Sequence, residues 1–462
     1  KKLLYEARDA WHIVSTTEPP DPGDGEIDLS GLRMEVDPAA EWEQIFREAW
    51  RFQRDYLYVP NLHGADWPAI YDDYAPWVAH VRHRSDLTHL LDILGGEVSV
   101  GHSFTGGGDE PEVEGVDAGL LGADLEVVGD RYRIERIYTN ESWNPDLRAP
   151  LSGPGIDVQE GDYLLAVNGR PLSAAQNLYA ALEGTADRQT VLTVNDEHTA
   201  EGAREVTVVP VESEGGLRRR AWVEDNRRMV DSLSGGRLAY VYLPNTSVAG
   251  YTFFNRYYFA QQDREGAVID ERFNGGGSAA DYMVDIMSRD LIGFFNNPVG
   301  DRAPFTLPGA GIWGPKVMII NESAGSGGDL LPYMFRHMEI GPLVGMTTWG
   351  GLVGIWDVPP LVDGGGITAP RGGFYNLEGE WDVENEGVPP DLEVEQTPAE
   401  VIAGRDPQLE AAVAEAMRLL EERGPAIVAE PAAPVRVRRA GQEGRSGGGG
   451  ADGGEKPGPG GS

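Results

Sequence analysis

Three short segments carry residue types that suit acyl-transfer chemistry. The first runs Lys316-Val317-Met318-Ile319-Ile320-Asn321-Glu322-Ser323-Ala324-Gly325-Ser326-Gly327-Gly328-Asp329. An apolar strand there turns through small residues into an amphipathic helix over 330–338, which exposes Ser326 at a helix N-terminus. Free backbone N–H groups and the helix macrodipole at such a turn can stabilise a developing oxyanion. Gly325 and Gly327 leave room for a substrate carbonyl, as in a nucleophile elbow, although Gly-Ser-Gly also occurs in loops with no catalytic role. Ser323 is the local rival, nearer the strand end and without a glycine neighbour. The second segment, Val268-Ile269-Asp270-Glu271-Arg272-Phe273-Asn274-Gly275-Gly276-Gly277, is an apolar strand running into three glycines. Their unshielded amides are candidate oxyanion donors, and a flexible turn is the other reading. A phosphate-cradling loop is set aside, because neither a Gly-Lys-Ser/Thr ending nor Rossmann glycine spacing is present. The third segment joins Trp349-Gly350-Gly351-Leu352-Val353-Gly354 to Trp381-Asp382-Val383-Glu384-Asn385-Glu386-Gly387-Val388-Pro389-Pro390-Asp391. Glu384, between Val383 and a Gly-Val-Pro-Pro turn, reads as a carboxylate held in place. In a chain with 75 acids, a solvated surface carboxylate is the plain alternative.

Bulk composition narrows the function classes around these segments. At 462 residues the chain has room for two or three folding units of about 150 residues each. Hydrophobic residues at 40% and charged residues at 24% place it among globular proteins. Against 75 Asp plus Glu stand 38 Lys plus Arg, a net charge of −37 that repels phosphate backbones and anionic lipid. Nucleic acid and membrane partners are therefore not expected, and no stretch approaches the roughly 18 apolar residues of a bilayer span. Cysteine is absent, which removes disulfides, thiolate metal sites and a cysteine nucleophile together. Any nucleophile must be oxygen or nitrogen. No His-x-x-x-His spacing appears either, so neither a metal nor an organic cofactor is expected.

The elements that must position the three segments follow from periodicity. Lys1–Val14 reads as the last strand of something upstream, followed by a Pro/Gly/acid-rich linker to residue 37. No charged and apolar leader pattern begins the chain, so a cytoplasmic location is the expectation. From Asp37, an N-cap residue before Pro38 in the first turn, apolar residues three and four apart predict a helix through Phe52. Further helices are predicted over 67–74, 74–83 and 87–94, closing a small helical lobe (38–117) that ends in a strand-like run over 97–104. Residues 118–213 predict short strands around 125–128, 132–137, 163–167, 190–194 and 205–211, with one helix near 174–182. Asn168-Gly169 follows the strand 163–167 as a hairpin turn. Beyond Gly235-Gly236, strands and helices alternate, which predicts an open, mostly parallel sheet with helices on its faces and catalytic loops at strand ends. A last helix is predicted near 408–423. The remainder, 426–462, is too rich in Gly and Pro to order. The fold class is thus multidomain α/β and α+β: a helical lobe, a β domain (118–213) and an α/β lobe (214–425).

Residues 161–172 resemble a PDZ domain in their order of strand, Asn-Gly turn, strand and helix. With the three chemical segments and the helical lobe before them, residues 38–425 resemble the C-terminal half of a tricorn protease. That resemblance implies a serine peptidase acting on short peptides, with Ser326 as nucleophile and His102 as general base. Glu384 would orient and support the base, and the amides of Gly276 and Gly327 would form the oxyanion hole. It further implies a homo-oligomer trimming oligopeptides released by a proteasome-like machine, with aminopeptidases as partners in the family's manner, and an upstream β-propeller of which 1–14 would be the end. Histidine is the side chain whose ordinary pKa suits a base near neutral pH. His102 precedes a Gly-rich loop, whereas His80, His83 and His89 lie in polar helix patterns. Two departures stand out. The family places a serine directly before the histidine and commonly Asp after the nucleophile; here these are Gly101 and Gly327, and Ser103 or a water is left to replace the relay hydroxyl. In the run Leu291-Ile292-Gly293-Phe294-Phe295, Phe295 takes the approximate place of an acid that selects basic residues, which predicts an apolar preference. The rival readings are a tail-specific processing protease, whose lysine is missing from Thr348-Trp349-Gly350-Gly351, and a PDZ-bearing scaffold with a decayed site.

Overall fold

The computed structural model describes residues 1–139, 141–424 and 428–436. A hairpin of β1 (Lys2–Ala7) and β2 (Ala10–Ser15) opens the chain. The expected disordered tail falls outside the described residues except for 428–436, which are exposed and irregular.

Helix α1 (Pro38–Tyr56) begins where the Asp37 carboxylate accepts the Ala39 N–H. Pro38 fits the first position because it has no N–H to leave unpaired. Ile45, Phe46, Ala49 and Phe52 are its buried face, packed with α2 (Trp67–Val78) and α3 (Arg84–Gly96) into one core. The two helices predicted over 67–83 are the single helix α2, which ends at Val78. The run 97–104, predicted as a strand, is irregular. Alternation alone does not make a strand without a neighbour to pair with, and pairing begins only at β3 (Thr105–Gly106).

The next unit is an antiparallel sheet of β4 (Ala123–Val128), β5 (Arg131–Ile137), β6 (Tyr163–Val167), β8 (Thr190–Asn195) and β9 (Arg204–Val208), in that order, with β7 (Arg170–Pro171) folded back onto β6. Asn168 and Gly169, at φ 48 and 72, make the turn that Asn-Gly predicts. The helix expected over 174–182 shrinks to one turn, α4 (Leu178–Ala181), because the Asn177 side chain caps the Tyr179 N–H and so starts it late.

Helix α5 (Gly215–Ser234) leads into a parallel sheet whose strands follow chain order: β10 (Leu238–Tyr242), β11 (Gly266–Asp270), β14 (Lys316–Ile320), β15 (Leu343–Gly345) and β17 (Leu392–Glu393). Every residue of β10, β11 and β14 is buried, as continuous apolar strands in a sheet covered on both faces must be. The crossovers carry α6 (Val248–Ala260), α7 (Ala280–Met287) and α8 (Gly327–His337). Steps taken always in one direction put right-handed crossover helices on one face. Helix α10 (Pro407–Arg423), which follows the short α9 (Pro398–Ile402), packs with α5 on the sheet. Two excursions leave this scheme. The hairpin of β12 (Gly293–Phe295) and β13 (Phe305–Leu307) stands apart from the main sheet. The long connection from β15 to β17 crosses to the helical lobe, where β16 (Gly366–Ile367) pairs with β3.

That crossing completes the helical lobe. Val353, Leu361, Ile367 and Ala369 are buried in the same core as α1 to α3, so residues 38–117 do not close that core alone. Arg84 and Asp363 fasten the joint through a 2.5 Å ion pair, with side chains 2% and 1% exposed. Burial pushes the Asp363 carboxyl up, but the Arg84 hydrogen bond and backbone donors outweigh it and hold it below its usual value. Removing one partner of a buried pair strands the other charge, at a cost of about 3–5 kcal/mol. Asp363→Ala is therefore expected to lower stability by about that amount in denaturant titrations, whereas a loss below about 1 kcal/mol would show that the pair is solvated.

Candidate active site

The C-terminal ends of β10, β11 and β14 open into a cleft of about 720 Å³, lined by Ser247, Asn274 to Ser278, Ser326, His102 and Trp349 among others. This is where a parallel sheet presents its loops. Ser326 sits between β14 and α8 at φ 60 and ψ −115. A non-glycine residue held there costs about 1–3 kcal/mol and persists only when the surroundings enforce it.

Two contacts enforce it. The Ser326 N–H donates to Asp329 Oδ2 at 2.7 Å, the half of a capping box in which the N3 side chain reaches back to the N-cap. On the other side, Gly276, at φ 82, lies so close that a Cβ on it would meet the Ser326 Cβ at 2.7 Å and the Gly327 nitrogen at 2.9 Å. Only glycine permits that approach. Among the described residues the Gly327 N–H has no hydrogen-bond partner, so it is free to serve an oxyanion. The Gly276 N–H, by contrast, donates to Asn274 Oδ1 at 2.9 Å.

Asp329 does more than cap. Its buried carboxylate also accepts from Thr348 Oγ1 at 2.5 Å, Gly350 N–H at 2.8 Å and Gly351 N–H at 3.1 Å. Burial pushes the Asp329 carboxyl up, against the pull of these donors. The loop they hold carries Trp349, whose ring meets the His102 ring edge-on at 5.2 Å and would collide with any side chain on Gly325.

His102 itself is buried, in the irregular turn after α3 rather than at a strand end. Its Nδ1 has no hydrogen-bond partner among the described residues. Burial pulls the imidazole below its ordinary value, only partly opposed by the Glu384 and Asp329 charges. A neutral ring can accept a proton, so this shift favours a base at pH 7. The Thr368 hydroxyl donates to the His102 carbonyl at 2.5 Å and fixes the backbone.

Glu384 is not a loose surface acid. Its Oε1 accepts the Gly101 N–H at 2.8 Å, and its Oε2 accepts the Leu352 and Val353 N–H groups, both at 2.7 Å. It therefore grips the residue before His102 through the backbone. Ser103 offers no relay hydroxyl here, since its Oγ lies against Gly95 of α3. Phe295 is not brought to the cleft: it pairs with Phe305 in the separate hairpin and is 61% exposed. Asp329, Asn274 and Trp349 were given no role from sequence, although Ser326-Gly-Gly-Asp329 carries the capping-box spacing that points to Asp329.

Known proteins share the domains and fold that carry this site. Residues 38–96 match the tricorn protease C1 domain, 119–213 the tricorn protease PDZ domain and 237–394 peptidase family S41. "Tricorn protease homolog 1" of Streptomyces coelicolor is 40% identical over 401 residues, covering 86% of this chain and 37% of that protein. "Tricorn protease homolog" of Saccharolobus solfataricus is 32% identical over 430 residues, covering 91% of this chain and 39% of its own length. The chain thus spans well under half of these relatives. A crystal structure of the tricorn protease superposes with a TM-score of 0.82 at 27% identity, over 90% of this chain and 40% of that one. With the C1, PDZ and peptidase portions matched in order and the fold reproduced across nearly the whole chain, this protein is similar to the tricorn proteases over most of its length.

Proposed function

We propose that this chain is a serine peptidase of the tricorn type that hydrolyses short peptides through an acyl-enzyme. The observation that carries the reading is Ser326, held at a strained turn on the N-terminus of α8 and bordering the same cleft as a buried histidine. Ser326 Oγ attacks the scissile carbonyl while His102 takes its proton and later gives it to the leaving amine. Water then enters, His102 again acting as base, and frees the acid product. Glu384 stabilises the imidazolium by its charge and holds the backbone before it. The free Gly327 N–H is the ready oxyanion donor. The Gly276 N–H becomes the second when a charged oxygen, a stronger acceptor than Asn274 Oδ1, competes for it.

Phe104, Trp349, Ile355 and Trp356 give the cleft an apolar wall, which supports a preference for apolar peptide side chains without any part for Phe295. Among the described residues no helix is long and apolar enough to cross a membrane. A cytoplasmic homo-oligomer that receives oligopeptides from a proteasome-like machine and hands products to aminopeptidases is the wider setting the family suggests.

A fluorophosphonate probe is expected to label Ser326, and His102→Ala to abolish that labelling; an unlabelled Ser326 in folded protein would favour the scaffold reading. Because the His102 imidazole is lowered, the base stays neutral to lower pH. The acid limb of kcat/KM should then fall below the ordinary histidine value of about 6.5, and a limb above it would contradict the burial argument. Asp329→Ala should cost about 10²-fold in kcat/KM through misplacement of both Ser326 and Trp349, measured beside the melting temperature. Matched fluorogenic peptides ending in Phe and Arg test the wall, and faster hydrolysis of the Arg peptide would reject an apolar preference.

A further inference from the structure

Beneath the site lies a group that no catalytic step above uses. Glu271, directly after β11, is 0% exposed. The charges that bear on it are those of Asp329 from α8 and Asp270 from its own strand. The neighbouring Arg272 turns its guanidinium elsewhere, to Asp270 at 2.7 Å and Asp406 at 2.9 Å. Glu271 Oε2 accepts from Asn274 Nδ2 at 3.1 Å, while Oε1 is buried without a partner among the described residues.

Asn274, equally buried, is the joint of the site. Its Oδ1 accepts the Gly276 N–H at 2.9 Å, and its backbone carbonyl accepts the Gly325 N–H at 3.0 Å. One residue therefore ties the glycine loop to the nucleophile turn. Its carboxamide has two ends of opposite character, and the acceptor on Glu271 decides which end faces Gly276. Turned over, the carboxamide would set N–H against N–H.

A carboxylate sealed from water, with acids near it and no cation facing it among the described residues, is far less stable than the neutral acid. Burial first, and then the Asp329 charge, push the Glu271 carboxyl well above its ordinary range. We propose that Glu271 is a positioning residue of the peptidase site, held as a neutral carboxylic acid, that fixes the Asn274 carboxamide and through it the Gly275–Gly277 loop against Ser326. This rests on the reading of Ser326 as nucleophile. Glu271 touches no substrate and acts through geometry alone.

The test compares wild type, Glu271→Gln and Glu271→Ala in steady-state hydrolysis of one fluorogenic peptide, with melting temperatures and infrared spectra of the same samples. Gln has the shape of the neutral acid and should keep kcat within about threefold, whereas Ala should lower kcat by about 10²-fold and move KM by less than about twofold. Wild type at pH 7 should show the carbonyl stretch of a protonated carboxyl that Glu271→Gln lacks. If the alanine variant does not fold, Glu271→Asp, still acidic but too short to reach Asn274, should show the same loss in kcat. The proposal is overturned if the alanine or aspartate variant retains kcat, if Gln fails as badly as Ala at unchanged melting temperature, or if the infrared difference band is missing. Wild-type protein that neither labels at Ser326 nor cleaves peptide would instead sink the peptidase reading, and the infrared band would still report on the protonation of Glu271.

Discussion

Asp329 is the group on which the geometry of the site depends. A carboxylate buried beside no cation is unfavourable unless donors satisfy it. Here the donors are the Ser326 N–H, the Thr348 hydroxyl and the Gly350 and Gly351 N–H groups. Each donor comes from a segment that has to be placed, so satisfying the charge and assembling the site are one event. The held loop continues into Leu352 and Val353, whose N–H groups hold Glu384, and the other oxygen of Glu384 holds Gly101 next to His102. Ser326 and His102, more than two hundred residues apart in sequence, are thus joined by two carboxylates and a run of backbone donors.

The lobe structure serves the same circuit. His102 belongs to the helical lobe and Ser326 to the parallel sheet, and two independent bodies would leave their separation to chance. The connection between β15 and β17 removes that freedom by burying Val353, Leu361, Ile367 and Ala369 among the helices and by pairing β16 with β3. Backbone at the strand ends is fixed from the opposite side by Arg272, which links Asp270 at the end of β11 to Asp406 before α10.

What the sequence made legible was local. Continuous apolar runs announced β10, β11 and β14, Asn168-Gly169 announced its hairpin, and the glycines around Ser326 announced a tight turn, because each of these signals is written in adjacent residues. The single helix α2, the late start of α4 and the missing strand over 97–104 were misread where the deciding partner was a cap or a neighbouring strand. The insertion of 353–369 into the helical core was invisible for a stronger reason: Ile367 and Ala369 look like any apolar pair, and only the tertiary fold says which core they enter. Glu271 is hidden among 75 acids, since what distinguishes it is burial, which no local pattern records, and Asp329 is marked only by its capping-box spacing from Ser326.

Gly101 shows how a departure from a family pattern can be absorbed. A serine there would need room for a Cβ, which would lie 3.2 Å from Trp349 Cζ2 and 3.3 Å from the Gly351 Cα. Contacts that tight require the neighbours to give way. Those neighbours cannot give freely, because Asp329 pins Thr348 before the indole's own backbone and Gly350 and Gly351 after it. With no side chain at 101, the Trp349 ring can close on His102, and one Glu384 oxygen takes the Gly101 N–H. Glu384 then acts on His102 in two ways, through space as a charge and through the chain as an anchor. Neither requires a hydroxyl between them, so the hold of Glu384 on His102 does not depend on a side chain at 101.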